Sequence, residues 1–199
     1  LKSYADIQII SRYGKTKNLK ANLVIDATGQ KRSIIGTSFH MSDQLLIGNG
    51  IEWILQNTYQ NQKSFNRNLT FFLGTNWVKN GYGWIFPMSN NRIKVGICRL
   101  PPFNNLTSNF EALNTLIKKN RLDKLSVIEK HGGIIRSTIN RSDIHFRGRV
   151  VGIGDAISTS NLLGGEGIRH ALVSSELLAK KLGEILKRKN FNDLDDFLH

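Results

Sequence analysis

A glycine-rich stretch near the end of the chain carries the clearest chemical signal. It runs from Gly154 to Leu172, reads GDAISTSNLLGGEGIRHAL, and follows the short apolar run Val150–Ile153. A buried strand that ends in Gly-Asp fixes the Asp155 carboxylate, which can accept hydrogen bonds from sugar hydroxyls. The glycines allow close backbone approach, and the start of the following helix offers unpaired N–H groups and partial positive charge. The pattern predicts a site for a phosphorylated or polyhydroxylated ligand.

An aromatic strand supplies a second set of candidate binding residues. The segment Gly81–Pro87 reads GYGWIFP and places three aromatic side chains, Tyr82, Trp84 and Phe86, on one strand. Such a strand provides a large, rigid, apolar wall suited to a long apolar ligand. The same pattern also fits an aromatic strand packed in a hydrophobic core.

A third segment, Asp26-Ala27-Thr28-Gly29, lies at the end of the short apolar run 21–27. A strand that ends in a glycine turn permits close approach of the backbone to a cofactor. The alternative for this segment is a simple structural turn.

The elements that position these segments can be predicted from periodicity. Alternating or continuous apolar runs predict strands at 6–13, 21–27, 50–59, 69–75, 84–87, 92–99, 132–137 and 148–154. The first two should form a hairpin, and the middle ones an antiparallel sheet. Helical spacing predicts one helix at 107–119, with Thr107 or Ser108 as N-cap, and another at 165–187. The apolar stripe of the second helix comprises Ile168, Ala171, Leu172, Ser175, Leu178, Ala179, Leu182, Ile185 and Leu186.

The formal net charge of +13 is the one unusual bulk property. Nucleic-acid binding is the obvious interpretation, but the Lys and Arg residues are dispersed, so we expect no specific nucleic-acid partner. The densest cluster, Lys180, Lys181, Lys187, Arg188 and Lys189, fits either a solvated helix face or attraction to an anionic membrane. No segment reaches the length of a membrane span. We expect a cytoplasmic protein, which the membrane interpretation of this cluster would make peripherally membrane-associated.

Cysteine and histidine usage narrows the chemistry further. The single cysteine, Cys98, excludes an internal disulfide, fits a reducing compartment, and lies in a strand pattern that predicts a small buried residue. The five histidines are scattered without ligand spacing, so we predict no metal site.

The three segments together resemble the geranylgeranyl reductase family, which belongs to the FAD-dependent oxidoreductases of the para-hydroxybenzoate hydroxylase fold. The aromatic segment is similar to the family motif Tyr-x-Trp-x-Phe-Pro, which a Gly-x-Gly element follows after eight residues. Here that element is Gly96-Ile97-Cys98, in which Cys98 replaces the second glycine.

The resemblance implies an α/β (α+β) fold and a set of site residues. Part of an FAD-binding domain, over 1–40 and 147–199, should surround an antiparallel substrate domain over 41–146. The implied FAD-binding residues are Asp26, Gly29, Gly154, Asp155, Gly165, Glu166, Gly167 and Ile168. The implied substrate-binding residues are Tyr82, Trp84, Phe86 and Pro87.

The activity that the resemblance implies is reduction of carbon–carbon double bonds in a prenyl chain by hydride from reduced flavin. It leaves the electron donor open between NADPH and another reductant. No catalytic residue is identified, and Tyr82 is a candidate proton donor only by proximity. Two alternatives remain: a flavin monooxygenase on the same scaffold, and a non-catalytic fragment or basic binding module.

No G-x-G-x-x-G motif occurs in the chain, although a dinucleotide-binding βαβ unit requires one. The chain also lacks an initiator Met. We therefore expect a fragment of a longer protein, in which the motif lies at the extreme N-terminus. The oligomeric state is left open.

Overall fold

The structure, a computed structural model, describes residues 4–36, 45–57, 65, 67–104, 107–138, 144–162 and 164–188. The chain divides into two compact units. The terminal unit comprises residues 1–45 and 136–199, and the central unit comprises residues 46–135. The corresponding boundaries in the sequence prediction were 40/41 and 146/147.

Ten strands and two helices lie within the described ranges. The strands are β1 (Ala5–Ile10), β2 (Thr16–Ala21), β3 (Val24–Asp26), β4 (Leu45–Gln56), β5 (Thr70–Leu73), β6 (Gly81–Met88), β7 (Arg92–Arg99), β8 (Val127–Thr138), β9 (Phe146–Arg147) and β10 (Val150–Gly152). The helices are α1 (Asn109–Lys119) and α2 (Ile168–Arg188), and short 3₁₀ turns cover Gly29–Lys31 and Gly154–Ile157.

The terminal unit is built on a three-stranded sheet in the order β3-β10-β9. Strands β3 and β10 run parallel, with Asp26 opposite Gly152. Because parallel strands have their carboxyl ends at the same edge of a sheet, the loops after Asp26 and after Gly152 start side by side. Two of the three segments singled out in the sequence therefore meet at one place.

The hairpin predicted between residues 6–13 and 21–27 is wrong. Strand β1 pairs antiparallel with β2, with Ala5 opposite Ala21, whereas β3 pairs with β10. The chain reverses early because Gly14 adopts a left-handed conformation (φ +76°) and donates a backbone hydrogen bond to Ser11. The residues from Thr16 onward thereby take the hairpin position expected for the later run.

The central unit is built on a five-stranded sheet in the order β5-β6-β7-β4-β8. The pairs β5–β6, β6–β7 and β7–β4 are antiparallel, which confirms the predicted antiparallel sheet. Alternate residues of β6 and β7 point into the core, where they pack with residues of α1. The fully buried members include Ile85, Ile93, Val95, Ile97, Leu113 and Leu116.

Helix α1 begins with a capping box. The Ser108 hydroxyl accepts a hydrogen bond from the Glu111 N–H (3.2 Å), and the Glu111 carboxylate accepts one from the Ser108 N–H (2.8 Å). Ser108, one of the two predicted N-caps, is thus the one used. Gly83 lets the helix approach β6, because a Cβ there would lie 2.7 Å from Cδ2 of Leu116.

The apolar stripe predicted for α2 is too wide. Leu178 and Ile185 are buried, and Leu182 packs beside Ile185 together with Leu23. By contrast, Ile168 is 81% exposed, and Leu172 and Leu186 are also exposed. The buried stripe therefore follows the positions around Leu178, and the other apolar residues lie to its side.

Candidate functional site

The terminal unit contains a cavity of about 350 Å³ where the loops after β3 and β10 meet the first turns of α2. We call it the glycine-rich pocket. It is lined by Ala27, Gly29, Ile153, Gly154, Asp155, Gly167, Ile168, Ala171 and Ser175. Its size is within the range of small-molecule sites.

Gly154 brings the end of β10 close to helix α2. Its φ of +57° is in the left-handed region, and a Cβ there would lie 3.0 Å from Cβ of Ala171. Its N–H donates to the Ser174 hydroxyl (2.9 Å), which donates in turn to the Ala171 carbonyl (2.9 Å). A side chain at position 154 would therefore be strained and would press against the helix.

Asp155 presents a carboxylate to the pocket. It accepts a hydrogen bond at Oδ1 from the Ser160 hydroxyl, and within the described residues its other oxygen has no partner. Gly167 makes room for this pair, because a Cβ there would lie 3.0 Å from Oγ of Ser160 and 3.6 Å from Oδ1 of Asp155. The pocket thus offers one carboxylate oxygen to a hydroxyl donor on a ligand.

Asp26 directly precedes Ala27, which lines the pocket, and is fully buried. Its carboxylate accepts hydrogen bonds from the N–H and hydroxyl of Thr28 (2.9 and 2.7 Å) and from the N–H groups of Ile34 (3.0 Å) and Ile35 (2.7 Å). Burial by itself would raise the pKa of Asp26, but these hydrogen bonds hold it below its ordinary value. The carboxylate is thus engaged by its own loop, which carries Gly29.

Two other predicted residues, Gly165 and Glu166, lie outside the pocket lining. The backbone of Glu166 pairs with that of Asn161 through two hydrogen bonds of 3.2 Å, and its exposed carboxylate lies 3.4 Å from Arg169. Gly165 occupies the turn before it with φ of +64°. These residues close the loop that leads into α2.

The structure therefore brings five of the eight predicted cofactor residues to one pocket: Gly29, Gly154, Asp155, Gly167 and Ile168. Sequence reasoning missed Ala27, Ile153, Ala171 and Ser175. The spacing of Gly167, Ala171 and Ser175 could have indicated the last two, because residues four apart lie on one face of a helix.

The central unit contains an aromatic face, formed by Phe71, Leu73, Tyr82, Trp84 and Phe86. The ring centroids of Tyr82 and Trp84 lie 5.8 Å apart, those of Trp84 and Phe86 6.2 Å, and those of Phe86 and Phe71 5.1 Å. On the neighbouring strand, Phe71 pairs with Trp84 and Leu73 with Tyr82. Phe71 and Leu73 are 51% and 72% exposed, so this face presents apolar surface of the kind that binds ligands.

Sequence reasoning identified β5 as a strand but did not assign Phe71 or Leu73 to the site. The alternation over 69–75 could have indicated them. Pro87, which was assigned, follows Phe86 directly, and its side chain points to the opposite side of the strand. It does not contribute to the aromatic face.

Tyr82 and Cys98 are neighbours across β6 and β7. Burial raises the pKa of the Cys98 thiol, and burial together with Cys98 raises the pKa of Tyr82 to about 12. The Tyr82 hydroxyl therefore keeps its proton over the physiological range. Cys98 is buried, which confirms the prediction of a small buried residue.

Two negative findings concern the part of the chain that the structure describes. It contains no group of three or more His, Cys, Asp or Glu residues that could hold a metal ion. Neither of its helices has the length and apolar content needed to cross a membrane.

Comparison with known proteins shows similarity both in sequence and in fold. The chain is 28% identical over 179 residues to digeranylgeranylglycerophospholipid reductase 2 of Methanococcoides burtonii. The aligned region covers 85% of this chain and 42% of that protein. The chain thus spans less than half the length of this curated relative. No protein-family model matches the chain.

Two solved structures show the fold. The geranylgeranyl bacteriochlorophyll reductase-like protein from Thermoplasma acidophilum matches with a TM-score of 0.73 at 20% identity, over 94% of this chain and 47% of that chain. Aklavinone-11 hydroxylase, solved in a complex with FAD and aklavinone, matches with a TM-score of 0.62 at 17% identity, over 92% of this chain and 35% of that chain. These findings confirm the predicted α/β fold and the resemblance to geranylgeranyl reductases.

Proposed function

We propose that this chain is part of an FAD-dependent oxidoreductase that reduces carbon–carbon double bonds of a prenyl chain. The observation that carries the proposal is the pocket where Gly154, Asp155 and Gly167 meet at the ends of two parallel strands. The similarity to a digeranylgeranylglycerophospholipid reductase supports the prenyl substrate.

The pocket fits a cofactor that carries hydroxyl and phosphate groups. Gly154 and Gly167 let its walls pack closely, because a Cβ at 154 would lie 3.0 Å from Ala171 and one at 167 would lie 3.0 Å from Ser160, and the first turn of α2 lines the pocket. The second carboxylate oxygen of Asp155 would accept a hydrogen bond from the ribityl chain, and the helix start would favour negative charge on the flavin. When bound and reduced, FAD would supply the hydride.

Three predicted residues take a supporting part in this proposal. Asp26 would act on the cofactor only by shaping the loop that carries Gly29, because its carboxylate oxygens accept hydrogen bonds from that loop. Glu166 and Gly165 would shape the turn that leads into α2.

The aromatic face would hold the prenyl chain. Its aromatic and aliphatic side chains provide a continuous apolar surface, for which burial of a prenyl chain is favourable at roughly 25 cal/mol per Å². The Tyr82 hydroxyl, with its pKa of about 12, would remain protonated beside a bound chain and is the candidate proton source on this face.

The cofactor proposal is tested by Asp155→Ala in the protein expressed from its complete reading frame. Loss of a hydrogen bond to a charged group should weaken FAD retention by roughly 1.5–3 kcal/mol. Glu176→Ala removes an exposed carboxylate of the same charge from α2 and serves as the control. Equal flavin content and affinity in the two variants would count against the assigned role of Asp155.

The substrate proposal is tested by Trp84→Ala in the same protein. KM for a prenylated substrate should rise while the absorption spectrum of bound flavin stays unchanged. Phe103→Ala, which removes a partly exposed ring outside the aromatic face, is the control. If Trp84→Ala unfolds the protein and releases the flavin, the ring is a core residue instead.

A flavin monooxygenase is the second candidate function, because aklavinone-11 hydroxylase has a similar fold. Fold does not decide between reduction and hydroxylation. Oxygen consumption with a phenolic or polycyclic substrate, without turnover of prenyl compounds, would select the monooxygenase.

We also propose peripheral association with anionic membranes through the second half of α2. Lys180, Lys181, Lys187 and Arg188 are exposed there, and Lys189, the fifth member of the predicted cluster, lies outside the described residues. A prenyl lipid substrate would have to be taken from or near a membrane. The positive charge on α2 would hold the protein at that membrane surface.

A further inference from the structure

The indole of Trp84 extends across β7 to reach β4. Trp84 lies opposite Gly96, and Gly96 lies opposite Glu52. The indole N–H donates a hydrogen bond to Oε2 of Glu52 (3.0 Å). A Cβ on Gly96 would lie 2.2 Å from Cζ2 and 2.4 Å from Cε2 of the indole, so the ring lies directly on the Gly96 backbone.

Glu52 is itself held in place. Nζ of Lys94 lies 3.3 Å from its Oε1, and Nδ1 of His131 lies 3.7 Å from the same oxygen. The side chain of Glu52 is only 19% exposed. Because the Lys94 ammonium lies against Oε1 of Glu52, Oε2 is directed to the indole N–H.

This arrangement solves a problem that tryptophan poses in an apolar surface. The indole N–H is a donor that requires a partner when it is removed from water. With Glu52 as the partner, the ring can lie flat between Tyr82 and Phe86 and present its apolar surface to a ligand. Without Glu52, the N–H would have to turn toward solvent or toward the ligand.

We propose that Glu52 is a positioning residue that fixes the Trp84 indole in the aromatic face and thereby sets the shape of the prenyl-binding surface. The inference rests on the proposed function and adds a residue to it. Glu52 acts through Trp84 and need not contact the substrate. It is 32 positions away from Trp84 in the chain, so only the strand register brings the two together.

The test uses the protein expressed from its complete reading frame with Glu52→Leu, Glu52→Gln and Glu52→Asp. Glu129→Gln is the control, because Glu129 also contacts His131 (3.1 Å) but is exposed and has no described contact with Trp84. The first readout is the Trp84 indole N–H resonance in ¹⁵N NMR spectra, assigned with Trp84→Phe. The second is KM and kcat for a geranylgeranyl substrate and for a farnesyl substrate.

Glu52→Leu should shift the indole resonance, remove its protection from hydrogen exchange, and raise KM for the geranylgeranyl substrate about tenfold with kcat little changed. Glu52→Gln, whose amide oxygen can still accept from the indole, should restore most of the wild-type KM. Glu52→Asp keeps the charge but is one methylene shorter, so it should show a smaller change in the same direction. Glu129→Gln should behave as wild type.

The proposal is overturned by one combination of results. In it, Glu52→Leu shifts the indole resonance but leaves KM for both substrates at the wild-type value, whereas Trp84→Ala raises KM. It is also overturned if the resonance does not shift. Should Glu52→Leu fail to fold, the same comparison is made with Glu52→Asp. A different result, in which Trp84→Ala itself leaves KM unchanged, would reject the prenyl-binding face and hence the proposed function.

Discussion

The indole ring of Trp84 occupies the space in which Gly96 would carry a side chain. The two residues face each other across β6 and β7, and a Cβ on Gly96 would lie 2.2 Å from the indole. Such a distance is well below any normal contact between carbon atoms. Glycine at 96 is therefore a requirement of the aromatic face as well as of the sheet.

Gly96→Ala should displace the Trp84 ring and destabilise the protein. Overpacking of this kind costs typically 1–3 kcal/mol, which urea denaturation monitored by circular dichroism would measure. Gly133→Ala on β8 is the matched control, because a Cβ there meets no atom within 4 Å. Equal stability of the two variants would show that the ring moves aside without cost.

Asp26→Asn should destabilise the protein at neutral pH by roughly 1.5–3 kcal/mol, because an amide replaces a buried carboxylate that accepts four hydrogen bonds. The folded state lowers the pKa of Asp26, so its stabilisation is present above the unfolded pKa of about 3.9 and is lost as the pH falls through the lower folded value. The difference between wild type and variant should therefore shrink below about pH 4.

The measurement is the free energy of unfolding between pH 3 and pH 7. Asp123→Asn, at an exposed position in the central unit, is the control and should change little at any pH. A difference between wild type and Asp26→Asn that stays constant down to pH 3 would contradict the assignment of the lowered pKa.

Local chemistry could be read from the sequence where the residues that interact are neighbours in the chain. The Ser108 cap, the Gly154-Asp155 strand end and the row of aromatics on β6 are of this kind. Glu52 could not be identified in this way, since its role depends on the register of three strands. The hydrogen bonds of Asp26 come from its own loop, up to nine residues further on, and nothing in the residue types distinguishes an inward carboxylate from one that faces a ligand.

The errors have a physical reason as well. The hairpin was misplaced because the weakly apolar residues 16–21 pair through backbone hydrogen bonds, for which side-chain periodicity is a poor guide. The predicted buried stripe of α2 includes too many residues, because Ile168 and Leu172 are apolar but exposed. Apolar character predicts burial only where a partner surface exists.

Gly154→Ala should lower FAD affinity more than Gly148→Ala does, beyond any loss of folding stability that the two variants share. Alanine at a left-handed position costs roughly 1–2 kcal/mol, and here its Cβ would also lie 3.0 Å from Ala171 at the pocket wall. Gly148→Ala is the matched control, because Gly148 has nearly the same φ (+55°) but meets no atom within 4 Å and lies outside the pocket lining. The measurement is flavin content and FAD affinity beside the melting temperature. Equal FAD affinity in the two variants would argue against the pocket as the cofactor site.

Cys98 should be unreactive toward thiol reagents in the native protein. It is buried and its pKa is raised by that burial, so both access and thiolate fraction are low. Labelling with a chromogenic disulfide at pH 8 should proceed only as fast as the protein opens, and at once in denaturant. Rapid labelling of the folded protein would show that β7 is accessible at Cys98.

The positive charge on α2 should direct the protein to anionic membranes. Each Lys or Arg near such a surface contributes about 1 kcal/mol, so replacing Lys180, Lys181, Lys187 and Arg188 by Gln should reduce binding to phosphatidylserine vesicles at least about tenfold in co-sedimentation. Replacing Lys15, Lys17, Lys20 and Lys31 by Gln removes the same charge elsewhere in the terminal unit and should reduce binding less. DNA gel shifts at the same ionic strength should show only weak, salt-sensitive binding. Tight DNA binding without vesicle association, or equal loss in both variants, would show that this surface does not serve a membrane.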